Sequence, residues 1–140
     1  MRKELFNDLS AKLLSINESG KAKTDNSEAS YFKTIKLYNR QVEFVEQGEV
    51  FDVPAVFIEI QPIKHAGGTG KGIHTLNVIL HVVNSYTTDE DRLNNFDLLD
   101  NLPHFLKSGS HPFINTESDT NNDHEELVED VESYSISLLR

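Results

Sequence analysis

Pro54-Ala55-Val56-Phe57-Ile58-Glu59-Ile60, a glycine-rich connection, and then Thr75-Leu76-Asn77-Val78-Ile79-Leu80-His81-Val82-Val83-Asn84-Ser85-Tyr86 decide how this chain folds. In the second arm Leu76, Val78, Leu80 and Val82 share one face while Asn77, Ile79, His81 and Val83 share the other, the period-2 pattern of a strand. Two such arms joined by a Gly-rich loop predict a β-hairpin. The first arm is apolar at Ala55, Val56, Phe57, Ile58 and Ile60, which places it mid-sheet with both faces covered. Pro54 lacks the N–H that a central ladder needs, so it is expected as the first residue of that strand.

Working outward, Leu5, Phe6, Leu9, Leu13 and Ile16 recur at helical spacing and predict an amphipathic helix ended near Gly20. Residues 21–30 are polar apart from two alanines and read as an exposed, mobile loop. Residues 32–38 alternate and are β-rich, giving a strand with one wet face. Asn39 is expected to cap a single helical turn over 41–46, with Val42 and Val45 facing inward and Gly48 ending it.

Beyond Tyr86, Thr87 and Glu90 have capping-box spacing, and Asp89 and Asp91 add acidic charge where the helix dipole favours it. Leu93, Phe96, Leu99, Leu102 and Leu106 form the stripe expected to lie against the sheet, with Pro103 bending or ending the last turn. Phe113-Ile114 begins a short strand, and residues 119–123 are a turn cluster. Residues 127–139 form the return arm, with Tyr134, Ile136 and Leu138 on one face and Val131 out of phase. That predicts a bulge or face switch near Glu132. The sum is a single α+β domain over 1–140, a mainly antiparallel sheet with two amphipathic helices packed on one face.

Composition narrows the function. The chain has 140 residues, 13 basic against 23 acidic side chains and no cysteine, so disulfides and thiolate metal sites are excluded. The net charge of -10 argues against sequence-independent nucleic-acid binding. No apolar run approaches a membrane span, and the N-terminus lacks a signal-peptide core, so a soluble, non-secreted protein is expected. The connection over 66–72 holds four of the chain's seven glycines and reads as a flexible hairpin tip. It fails as a phosphate loop, because His65 stands where G-x-x-x-x-G-K needs its first glycine and Gly72 follows Lys71.

Of the six histidines, His74 and His81 are an odd number of positions apart and cannot share a strand face, while His65 and His74 can approach across the hairpin base. Ligand spacing for a metal is lacking. Asp52 with Glu59-Ile60-Gln61 faintly matches the carboxylates of two-metal nucleases, but Gln61 replaces the expected lysine and the acidic surface disfavours a polyanion. Glu125, Glu126, Glu129 and Asp130 read as a solvated acidic face.

The run Lys36-Leu37-Tyr38-Asn39-Arg40-Gln41, then Val53-Pro54-Ala55-Val56-Phe57-Ile58-Glu59, then Leu80-His81-Val82-Val83 and an acidic-capped helix, resembles small phage and prophage tail-completion proteins of the tail-terminator type. The resemblance spans residues 5–139 in order of elements. It implies an α+β subunit that closes into a ring, typically a hexamer, on the end of the tail tube, with the tail-tube protein and neck or connector proteins as partners. It brings no catalytic residues, no cofactor and no metal, and it implies a place in the virion tail after assembly in the host cytoplasm. The alternative is a divalent-metal nuclease of phage DNA processing. A ring needs a head-to-tail contact between unlike edges, for which Lys33 and Lys36 on one strand and Glu125, Glu126, Glu129 and Asp130 on the C-terminal arm are the expected subunit-contact residues.

Overall fold

The computed structural model describes residues 2–43, 51–61, 64–65, 73–85, 88–109, 111–122 and 127–139. Along the chain lie α1 (Arg2–Leu14), β1 (Thr34–Leu37), β2 (Ala55–Ile60), β3 (Lys64–His65), β4 (Ile73–Ser85), α2 (Asp89–Leu106), β5 (Ile114–Asn121) and β6 (Leu127–Leu139). The expected hairpin is its centre: β2 pairs antiparallel with β4, Ala55 opposite Val83 through Ile60 opposite Val78. The two-residue β3 extends the hairpin, and the strand order across the sheet is β1-β2-β4-β6-β5. This is the α+β architecture that the alternation predicts.

Leu76, Val78, Leu80 and Val82 are wholly buried, and with Val56 and Ile58 they meet Leu5, Leu9 and Leu13 of α1 and Leu98, Leu102 and Leu106 of α2 in one core. Both helices therefore cover one face. The opposite face of β2 is covered as well, by a smaller cluster in which Val42 packs on Ala55, Phe57 and Val83, flanked by Tyr38, Phe51 and Val53. That second cover explains why the first arm of the hairpin carries apolar residues on both faces.

Several expectations are corrected. β1 runs parallel to β2, Thr34 opposite Ala55 and Leu37 opposite Ile58. The connection over 38–54 is long enough for the crossover a parallel pair requires. Its described part contains a tight turn over 41–43, with Arg40 at φ 54°. The Asn39 side chain does not cap that turn. Instead the Gln41 side-chain oxygen accepts from the Asn39 N–H at 2.7 Å, and its amide donates to the Leu37 carbonyl at 2.9 Å. Val45, Gly48 and the glycine-rich tip over 66–72 lie outside the described residues.

Helix α1 stops at Leu14, and Ile16 is buried instead through an isolated bridge to Ala22. Gly20, at φ 77°, serves the turn in which the Asn17 N–H donates to the Lys21 carbonyl at 2.8 Å, a backbone conformation that glycine adopts without strain. Residues 21–30 are tied back to the fold: Ser30 bridges to Asn17, and the Lys23 N–H donates to the Ser15 carbonyl at 2.8 Å. The N-cap of α2 is Thr88, not Thr87, its hydroxyl accepting from the Asp91 N–H at 3.1 Å. Pro103 sits inside that helix, which continues to Leu106.

Strand β6 pairs with β4 in one unbroken register from Leu127 opposite Ser85 to Leu139 opposite Ile73. The expected face switch near Glu132 does not occur. The irregularity is on β5, between Asn115 and Glu117, and β5 runs on through Asp119, Thr120 and Asn121, where a turn was expected.

Candidate functional site

The unbroken register of β6 points Val128, Asp130, Glu132, Tyr134 and Ile136 to the helix face, and all are buried. Two of the five are carboxylates. Charges so placed must be paired or hydrogen-bonded, and their partners dictate how α2 sits. Arg92 turns inward and holds Asp130 with two parallel contacts, Nη1 to Oδ2 at 2.6 Å and Nη2 to Oδ1 at 2.8 Å, side chains 10% and 2% exposed. The Thr120 hydroxyl adds a contact to Asp130 at 2.9 Å, and the Ser118 hydroxyl donates to Glu132. Burial raises the Glu132 carboxyl above its ordinary value against the lowering effect of Ser118, and Asp130 and Asp100 push in the same direction as burial.

Consequently the first half of α2 turns a different side inward from the expected stripe, whose Leu102 and Leu106 are buried as expected. Arg92, Asn95, Leu98, Leu102 and Leu106 are buried, while Leu93 and Phe96 are 60% and 44% exposed. The guanidinium of Arg92 also lies over the Phe96 ring, 4.4 Å from its centroid. Asn95 meets the Tyr31 hydroxyl at 3.2 Å, with Asn84 at 3.4 Å from the same oxygen. Burial, with Asp130 nearby, pushes the Tyr31 hydroxyl up to about 12.

The opposite face carries a second polar group across adjacent strands. His81 on β4 has its Nδ1 2.8 Å from Glu129 Oε2 on β6 and its Nε2 2.8 Å from Glu59 Oε1 on β2. The Tyr38 ring stacks on the imidazole at 3.7 Å and 5°, and the Asn121 amide donates to Glu129 at 3.1 Å. A neutral imidazole has one N–H, so donation to both carboxylates requires the doubly protonated ring. Burial opposes that charge, yet the hydrogen bonds and charges of Glu129 and Glu59 outweigh it and hold the His81 pKa above its ordinary value. This group ties three strands together.

The residues expected at a subunit contact are thus dispersed. Glu129 and Asp130 are not solvated charges: they are 8% and 2% exposed, face opposite sides of the sheet and are occupied within the chain. Their strand, β6, is interior and not an edge. Glu125 and Glu126 lie outside the described residues. Lys33 and Lys36 are exposed on or beside the edge strand β1, Lys33 in an ion pair with Glu18 at 2.9 Å. A signal for the polar groups was available in the sequence: each β6 carboxylate on a core-facing position needs a counterpart, and Arg92 is the one arginine or lysine in an acidic helix.

Asp52 is exposed and lies outside β2, three residues before Ala55, while Glu59 is within β2 and engaged by His81. His65 and His74 are register partners at the hairpin base. Among the described residues, no group of His, Asp and Glu is arranged to hold a metal ion, and no helix is long and apolar enough to cross a membrane. No protein-family model matches the chain, and no curated protein matches it.

Proposed function

We propose that this chain is a structural, non-catalytic subunit of a phage or prophage tail, of the tail-terminator or tail-completion type, which closes into a ring with copies of itself. One observation supports the reading above the rest. The sheet is a single open layer with its helices on one face, and among the described residues its two ends, β1 and β5, are unpaired edges of unlike composition. Unlike edges suit a head-to-tail contact, and repeated rotation through such a contact closes a ring. The order of elements agrees with the resemblance carried by residues 36–41, 53–59 and 80–83.

On this reading the partners are further copies of the chain, in a hexamer, with the tail-tube protein on one side and neck or connector proteins on the other. The protein acts in the virion tail after assembly in the host cytoplasm. Deleting the gene from an inducible prophage should give tails of uncontrolled length by negative-stain microscopy. Tails of normal length would remove the terminator role and leave a neck or baseplate adaptor. A magnesium titration by calorimetry, with a DNA-cleavage assay alongside, should show neither binding nor cleavage. Cleavage would instead favour the nuclease alternative.

A further inference from the structure

We infer that copies of this chain join by setting β5 of one against β1 of the next, so that one sheet runs on from subunit to subunit through an antiparallel pair. The inference rests on the ring reading above and assigns the contact within it. Strand direction is the first ground. β1 and β2 run the same way, β4 the opposite way, β6 back again, and β5 opposite to β6. A neighbour set alongside without being turned over therefore brings its β1 antiparallel to β5, with the helices of both copies on the same face. Antiparallel pairing is the more stable ladder, and an open edge is a ready template for it.

Charge is the second ground. Lys36 stands opposite Phe57, on the face away from the helices, exposed and with no ion-pair partner among the described residues. On that same face of β5, Glu117 and Asp119 stand opposite Ser133 and Val131, and both are exposed. A copy joined through these edges sets Lys36 against Glu117 and Asp119. Contact of β1 with β1, or of β5 with β5, sets like charge against like, which is destabilising directly across a sheet.

The helix face agrees. Beside β1, Leu37 is 58% exposed in a shallow groove with Arg2, Lys3 and Phe6. Beside β5, the half-exposed Phe96 lines a cleft with Leu99, Pro103 and Asp100. An exposed apolar side chain beside two bases, with Glu59 also lining its groove, thus meets a mixed cleft in which Phe96, Leu99 and Pro103 sit among four carboxylates, so the acidic side is again the β5 end.

The chain has no cysteine, so introduced thiols report the contact directly. Two double variants are oxidised at low salt, Lys36→Cys with Glu117→Cys and Lys36→Cys with Asp119→Cys. At least one should give a ladder of multimers on a non-reducing gel, while each single variant stays monomeric. Circular dichroism checks that every variant folds. A dimer from Lys36→Cys alone would identify a two-fold β1 contact and overturn the inference. No ladder from either double variant, with wild type oligomeric by sedimentation velocity, would overturn the edge assignment and leave the ring standing. A wild type that sediments as a monomer at its highest soluble concentration would overturn both. As a second measurement, Lys36→Glu alone and Glu117→Lys with Asp119→Lys alone should each raise the association midpoint by about tenfold or more. Mixing the two should restore assembly, because each acidic edge then meets a basic one; no restoration overturns the pairing.

Discussion

Arg92→Ala is the most informative single change, because it separates a buried structural pair from a surface charge. Asp130 is 2% exposed and takes two contacts from Arg92, so truncation leaves its buried carboxylate with the Thr120 hydroxyl. Unit charges about 4 Å apart at an effective dielectric near 20 attract by about 4 kcal/mol, and breaking one partner of a buried pair costs about 3–5 kcal/mol in measured cases. Denaturant unfolding followed by circular dichroism should show that loss as a lower midpoint with an unchanged slope. Replacing both partners, Arg92→Met with Asp130→Leu, should recover stability to within about 1 kcal/mol of wild type, because the desolvation of two charges disappears together. A cost for Arg92→Ala below about 1 kcal/mol is the value of an exposed pair. It would show that α2 is not held by this contact, and the account of its rotation would fail.

The His81 group should make stability depend on pH. With the folded pKa raised above the unfolded value of about 6.5, its contribution is complete below that value and is lost as pH rises through the folded pKa. Melting temperature should therefore fall from pH 6 to 8 in wild type and fall less in His81→Gln; equal slopes would refute it. The raised Glu132 acts in the same direction but from lower pH, starting near the ordinary carboxyl value of about 4.5, so the variant should keep the acidic part of the slope. Val56→Asp or Ile58→Asp places a charge where the side chain is wholly buried, and either should cost roughly 3 kcal/mol or more, enough to unfold a marginal domain. A variant melting within a few degrees of wild type would contradict the central position of β2.

What was legible in the sequence is what local periodicity controls. Leu76, Val78, Leu80 and Val82 alternate because one face of β4 is apolar, and Leu5, Leu9 and Leu13 recur because α1 lies on that face. The run from Ala55 to Ile58 is buried on both faces, as its unbroken hydrophobicity implies. These assignments need no knowledge of distant partners. The parallel placement of β1 was less accessible: nothing in its four residues encodes direction, and only the length of the connection over 38–54 permits a crossover.

The polar half of the molecule was harder to read than the apolar half, for a physical reason. A pattern argument assigns Asp130 to solvent and places a face switch near Glu132, since a lone carboxylate is too costly to bury. That cost is offset only by partners from other elements, Arg92 on α2 and Ser118 and Thr120 on β5. Once the partners are supplied, the corrections at α2 and β5 follow from this one. α2 must turn Arg92 and Asn95 inward, which expels Leu93 and Phe96 from the expected stripe, and β5 must continue through Asp119, Thr120 and Asn121 to reach the β6 carboxylates. The same inward turn of Arg92 leaves apolar surface exposed at the β5 end of the sheet. Had Asp130 and Glu132 been apolar, α2 could have buried Phe96 beneath itself, and that cleft would lack the exposed ring that the proposed contact sets near Leu37 of a second copy. Burying charge inside the subunit and exposing an aromatic at its edge are therefore two consequences of one arrangement. Arg92→Met with Asp130→Leu tests the link: it should leave the subunit stable while letting α2 shift, so that Phe96 becomes less exposed and assembly weakens.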